Sequence, residues 1–136
     1  MQYIGYTLLL IHTGLLVWAI GGFLEMILQD VPWQPFTNPE FPTWVLIIHW
    51  SSVLFASTAF LYGYITQWPN TPQIMAAAYG FMAIVCLIET FGYMTSKTKY
   101  IAMGGEFLAY ALILFFLFNT RYFVNYFSPI ESTISH

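Results

Sequence analysis

Apolar residues in this chain are gathered into four long runs, which are separated by short polar or proline-rich segments. The runs cover about residues 3–28, 44–66, 73–95 and 100–118. Each run is roughly 20 residues long, the helical length that crosses a hydrocarbon core of ~30 Å. The pattern therefore predicts an all-α integral membrane protein with four transmembrane helices that form a single domain.

The connectors between the runs indicate how the helices are arranged. Residues 67–72 and 96–99 are short polar turns, so we expect consecutive helices to reverse direction and to form an antiparallel bundle. The 29–43 connector holds four prolines and three aromatic residues, which predicts an extended, partly polyproline-like segment. The Tyr- and Phe-rich residues from 119 onward predict an interfacial segment on the membrane surface, followed by a loose polar tail.

Few charges are available to set the orientation of the chain. Lys97 and Lys99 lie on one predicted side of the membrane, and Arg121 and the amino terminus lie on the other. The positive-inside rule then places both termini outside. We expect a multi-pass protein of a prokaryotic cytoplasmic membrane or of an organelle inner membrane.

Composition excludes several functional classes. The chain is 59% hydrophobic and 7% charged, too little polar surface for a water-soluble domain of 136 residues. Three basic residues against six acidic ones argue against nucleic-acid binding. Cys86 is the single cysteine, which excludes a disulfide scaffold. Common membrane-embedded catalytic motifs are absent from the sequence.

Ionisable residues interrupt all four apolar runs, although insertion scales assign strongly charged residues a cost of ~2.5–3.5 kcal/mol at a helix centre. The depth of each residue is counted along its predicted helix from the membrane face that carries the 29–43 and 96–99 connectors. Glu25 then lies roughly 5 Å deep, His49 about 8 Å, Glu89 about 9 Å and Glu106 about 10 Å, at a rise of about 1.5 Å per residue. Each helix is thus expected to contribute one member to a common polar layer.

Small residues indicate which face of each helix points into the bundle, because membrane helices pack most closely where side chains are small. At ~100° per residue, every member of the polar layer shares a face with small residues and is expected to point inward. These faces combine Thr7, Gly14 and Gly21 with Glu25; Ser52, Ala56, Ala59 and Gly63 with His49; Ala78 and Cys86 with Glu89; and Ala102 and Ala109 with Glu106.

Three interpretations of the polar layer remain open from the sequence. Protonated glutamic acids and His49 would share hydrogen bonds with Ser52, Tyr93 and Tyr110 and hold the helices in register. Alternatively, one histidine and two or three carboxylates would bind a metal ion, although no Glu-x-x-His pair is present. In the third interpretation, the layer transfers protons to a bound cofactor such as a quinone.

His12 lies apart from the layer, roughly 24 Å from the same membrane face. The two intramembrane histidines therefore differ in height by roughly 16 Å, which disfavours a bis-histidine haem. His12 also projects away from Gly14, toward lipid or another subunit. Because exposing a histidine side chain to lipid costs free energy, we expect His12 to contact a partner chain.

Two functional hypotheses follow. The first is a non-catalytic accessory subunit of a larger, hetero-oligomeric membrane complex of a redox or energy-converting type, with bound lipid. The second is a small stand-alone membrane enzyme or transporter that uses the Glu25, His49, Glu89 and Glu106 layer for proton, quinone or metal handling.

Overall fold

A computed structural model describes residues 2–28 and 40–128, and all regular secondary structure in these two ranges is helical. The first four helices are each long and apolar enough to cross a membrane, which confirms the prediction of an all-helical chain with four such segments. The helices are α1 (Gln2–Ile27), α2 (Thr43–Thr66), α3 (Thr71–Gly92), α4 (Lys99–Asn119) and α5 (Arg121–Tyr126).

Helix α3 differs most from its predicted bounds of 73–95. It begins earlier, because the Thr71 hydroxyl donates to the Trp68 carbonyl at 2.6 Å and Pro72 occupies the first turn, where no backbone donor is needed. It ends at Gly92, because Tyr93 leaves helical geometry at φ −134° and ψ −29°. The Lys99 ammonium then donates to the Met94 carbonyl at 3.0 Å and closes the turn before α4.

The helices pack in chain order, α1 on α2, α2 on α3, α3 on α4, and α4 on α5. Glycines make the closest approaches possible. The Trp50 indole lies directly on Gly22, and the Tyr64 ring lies on Gly5, so that a Cβ at either glycine would overlap an aromatic ring. A Cβ at Gly63 would likewise overlap the side chain of Thr71.

The packing face of α1 differs from the predicted one. Thr7 and Gly14 are exposed, and no atom lies within 4 Å of the position where a Cβ of Gly14 would be. The prediction was wrong because the small-residue pattern was equally compatible with two faces, and the rings of Trp50 and Tyr64 select the other one. The buried positions of α1 are Gly5, Leu8, His12, Ala19, Gly22 and Glu25.

Stacked aromatic rings connect the centre of the bundle to α5. Phe60 lies 4.1 Å from the His12 ring and 5.7 Å from the Tyr64 ring, and Tyr126 stacks on Tyr64 at 4.6 Å. The Tyr126 hydroxyl also donates to the Tyr64 carbonyl at 2.6 Å. Burial raises the pKa of Tyr126.

The segment after α4, which was expected to form an aromatic strip on the membrane surface, begins with the short helix α5. Phe123 and Phe127 of this segment are buried against the other helices. Its position at a membrane surface stays a prediction. The predicted extended segment at 29–39 and the polar tail at 129–136 lie outside the described residues.

We predict that Gly22→Ala lowers the stability of the protein by about 1–3 kcal/mol, because the added methyl group overlaps the Trp50 indole. Gly14→Ala is the matched control, and it should be neutral or slightly stabilising because its site is open. Thermal unfolding of both variants in the same detergent, followed by circular dichroism, makes the comparison. Equal stability of the two variants would contradict the packing of α1 on α2.

Candidate functional site

A hydrogen bond between an imidazole and a carboxyl group joins His49 of α2 to Glu89 of α3. The His49 Nδ1 lies 2.6 Å from Glu89 Oε1, and the two side chains are 21% and 9% exposed. A carboxylate oxygen accepts, so Nδ1–H is the donor when Glu89 is ionised. Charge-assisted hydrogen bonds of this kind are about twice as strong as neutral ones.

Two indoles hold the His49 ring in place. The ring makes edge-on contacts with Trp50 at 4.5 Å and with Trp18 of α1 at 5.8 Å between centroids. The Ser52 hydroxyl donates to the backbone carbonyl of His49 at 2.7 Å and is therefore not a partner of the ring. The orientation of the imidazole thus depends on α1 as well as on its own helix.

Two adjoining cavities lie against the His49–Glu89 pair. The smaller has a volume of about 30 Å³, enough for one water molecule, and the larger has a volume of about 230 Å³. Side chains of all four long helices contribute to their walls. The residues common to both cavities are Trp18, His49, Cys86, Glu89 and Glu106.

Glu106 brings a second carboxyl group to the cavities from α4. It lies beside the Tyr110 hydroxyl and the Cys86 thiol. Glu106 is nevertheless exposed in this chain, and so are Ala102 and Ala109, all of which were expected to point into a closed bundle. The reason is that α4 packs on α3 and α5 and leaves this side of the helix open.

Glu25 and Tyr93, which were predicted to belong to the polar layer, are not among the residues that line the two cavities. Glu25 is buried on α1, 8% exposed. Tyr93 follows the last residue of α3, and its ring makes an edge-on contact with Trp44 at 6.0 Å. The two cavities therefore bring together only His49, Glu89, Glu106 and Tyr110 of the predicted polar layer.

The prediction that His12 faces outward was wrong. His12 is 0% exposed, stacks on Phe60 and lies between α1, α2 and α3. Its Nδ1 donates to the Leu8 carbonyl at 2.7 Å, and the Tyr79 hydroxyl lies 2.5 Å from Nε2. Both ring nitrogens are engaged within the chain, so His12 provides no argument for a partner subunit.

Sequence reasoning missed six residues of the larger cavity: Trp18, Phe41, Thr90, Met94, Lys99 and Met103. Trp18 was missed because the α1 face was assigned from Gly14 and Gly21. Lys99 was read only as part of a polar turn, although its position at the start of α4 places it one and two turns from Ala102 and Glu106 along the same helix. Phe41 carried no signal beyond its place in an aromatic connector.

Within residues 2–28 and 40–128, no group of three or more His, Cys, Asp or Glu side chains is arranged to hold a metal ion.

The chain matched no protein-family model, no curated protein and no solved structure.

A double-mutant cycle measures how strongly His49 and Glu89 interact. His49→Phe should destabilise the protein because it leaves a buried carboxylate without its partner, and Glu89→Leu in the same chain should recover part of that loss. We expect a coupling energy of ~0.5–3 kcal/mol from reversible denaturation in mixed micelles. Additive effects of the two substitutions would mean that the side chains do not interact in the folded protein.

Proposed function

We propose that α1–α4 span a membrane as an antiparallel bundle. The contacts of Gly5 with Tyr64 and of Gly22 with Trp50 support opposite directions for α1 and α2, because early residues of one helix meet late residues of the other. The short turns at 67–70 and 93–98 support the same arrangement for the remaining helices. The host membrane is a prokaryotic cytoplasmic or organelle inner membrane, with both termini outside.

The function that we propose is proton exchange with a small molecule bound inside the bundle. The observation that carries this proposal is the His49–Glu89 hydrogen bond, which lies against a cavity lined by all four long helices. Ionisable groups within a membrane are costly and commonly mark proton or substrate pathways. A pair that served only to hold helices together would have no need of an adjacent cavity.

The chemistry of the pair suits this role. The imidazole of His49 and the carboxyl group of Glu89 share a hydrogen bond, and either group can hold the proton between them. Histidine and carboxyl side chains are the groups that proteins most often use for proton transfer. Glu106 and Tyr110 lie beside the smaller cavity and extend the set of groups that can accept or donate a proton.

A second candidate function is that of a non-catalytic accessory subunit in a larger redox or energy-converting membrane complex. The observation that favours it is the openness of α4: within Lys99–Asn119, Leu117 alone is buried. Membrane subunits of a hetero-oligomeric complex would cover this helix. The aromatic surface of the chain, with large exposed rings on several helices, is also compatible with such partners and with bound lipid.

Infrared difference spectroscopy tests proton exchange at the site. We expect a carboxyl band that appears and disappears as the pH is changed, that is lost in Glu89→Gln and that shifts in His49→Gln. Glu25→Gln is the matched control, because Glu25 is equally buried but does not line the cavities, and it should leave the band unchanged. A spectrum without any titrating band assigned to Glu89 would contradict the proposal.

Native mass measurement after gentle extraction tests the accessory-subunit candidate. If the chain belongs to a stable complex, it should be released together with other membrane proteins. A particle that contains one chain of 15.7 kDa and only detergent and lipid would contradict that candidate and leave the proton-exchange proposal standing.

A further inference from the structure

The larger cavity is bounded by two helices that do not pack closely against each other. In the described ranges α1 packs on α2, and α4 packs on α3 and α5, whereas α1 and α4 share no interface of comparable extent. Yet Trp18 of α1 and Met103 and Glu106 of α4 line the same cavity. The cavity therefore lies between two helices that do not pack closely on each other, on a side that faces acyl chains if the four helices span a membrane.

The walls of this cavity combine two kinds of side chain, aromatic or thioether side chains and polar side chains. Trp18, Phe41, Met94 and Met103 provide flat or deformable apolar surface. The polar side chains of the cavity are His49, Glu89, Thr90, Lys99 and Glu106. An amphiphile with a flat polar headgroup fits such a division better than a uniformly apolar or uniformly charged molecule does.

The charges in the cavity favour a neutral headgroup. Glu89 and Glu106 oppose Lys99, and His49 carries either no charge or one positive charge. An anion would meet two carboxyl groups, and a cation would meet Lys99 and a protonated His49. Since Nδ1 of His49 is engaged by Glu89, Nε2 is the ring nitrogen left to a ligand, and in the protonated ring it donates to a carbonyl oxygen.

We propose that the cavity binds the single-ring, carbonyl-bearing headgroup of a lipid-soluble molecule of the quinone class, and that this molecule enters from the bilayer between α1 and α4. The inference rests on the proposed proton-exchange function, since it names the ligand of the same site. A volume of about 230 Å³ accommodates one ring, and it is smaller than the pockets of roughly 300–1,000 Å³ that hold drug-sized molecules. A hydrogen bond donated by Nε2–H of His49 stabilises the bound carbonyl without transfer of the proton.

Tryptophan fluorescence provides the binding test. The full chain in lipid nanodiscs is titrated with duroquinone, whose fully methylated ring does not alkylate thiols. We expect saturable quenching that is lost in Trp18→Phe and retained in Trp44→Phe, because Trp18 lines the cavity and Trp44 does not. His49→Phe should weaken binding at least tenfold, with helical content unchanged by circular dichroism.

Two competitors identify the chemistry of the ligand. Durene has the same methylated ring without carbonyl groups, so it should not displace duroquinone if the carbonyls are recognised. Tetraphenylphosphonium is a lipophilic cation and should not displace it either. Displacement by durene would show that the site binds apolar rings without recognising their carbonyl groups. Displacement by the cation would show that the site binds cationic amphiphiles. Either result overturns the proposal.

Cys86 reports the route by which molecules reach the cavity, because it is the single cysteine of the chain and lines both cavities. Cys86 is 8% exposed, so membrane-soluble N-phenylmaleimide should alkylate it slowly, and duroquinone should slow that reaction further. A sulfonated, membrane-impermeant maleimide should react much more slowly from either side. Equal rates for the two reagents would show that the cavity opens to water and would overturn access from the bilayer.

The outcomes separate this inference from the function on which it rests. A titrating Glu89 band without saturable duroquinone quenching rejects the quinone class and keeps proton exchange. Saturable quenching without a titrating band rejects proton exchange and leaves a ligand site of another purpose. The loss of both signals rejects both proposals.

Discussion

The contact between His49 and Glu89 is the interaction on which the rest of this structure depends. In a membrane, neither an imidazole nor a carboxyl group can be left without a partner, since each loses the water that would otherwise solvate it. Their 2.6 Å contact constrains the rotation of α2 and α3 about their own axes, because a different rotation of either helix would separate the two groups. Ser52, Cys86 and Thr90 are then carried to the inside of the same two helices.

Close packing between α1 and α2 determines the rest of the site. Gly22 and Gly5 allow the rings of Trp50 and Tyr64 to lie directly on the α1 backbone, and this brings Trp18 to the edge of the His49 ring. Helix α4, which supplies the fourth wall of the site, packs on α3 and α5 but has no comparable interface with α1. Because α1 and α4 are not closely packed, Glu106 is exposed and the cavity is accessible. The site therefore combines a fixed His49–Glu89 pair with an accessible cavity.

The four helices were predictable because the length of an apolar run is a property of the sequence alone. The heights of His49, Glu89 and Glu106 followed from helical rise, and the inward positions of Ser52, Ala56 and Cys86 followed from helical rotation. The face of α1 was not predictable in this way, because that helix is apolar on all sides and has no polar face to mark its exterior. Its orientation is decided by Trp50 and Tyr64 on the neighbouring helix.

His12 illustrates the same limitation. Helical periodicity gave only the direction of His12 relative to Gly14 on the same helix. Its partners, Tyr79 and Phe60, lie on other helices and are identified only by tertiary packing. Tyr93 was expected to share hydrogen bonds with the polar layer, yet the chain leaves helical geometry at that residue and its ring contacts Trp44.

Solid-state NMR in lipid bilayers tests the central claim most directly. With nitrogen-labelled histidine and carbon-labelled glutamate, the account predicts a strong dipolar coupling between the imidazole nitrogen of His49 and the carboxyl carbon of Glu89, absent from Glu89→Gln when glutamine is unlabelled. A spectrum of the folded protein in bilayers without that coupling would contradict the account, because the pair would not exist where the site requires it.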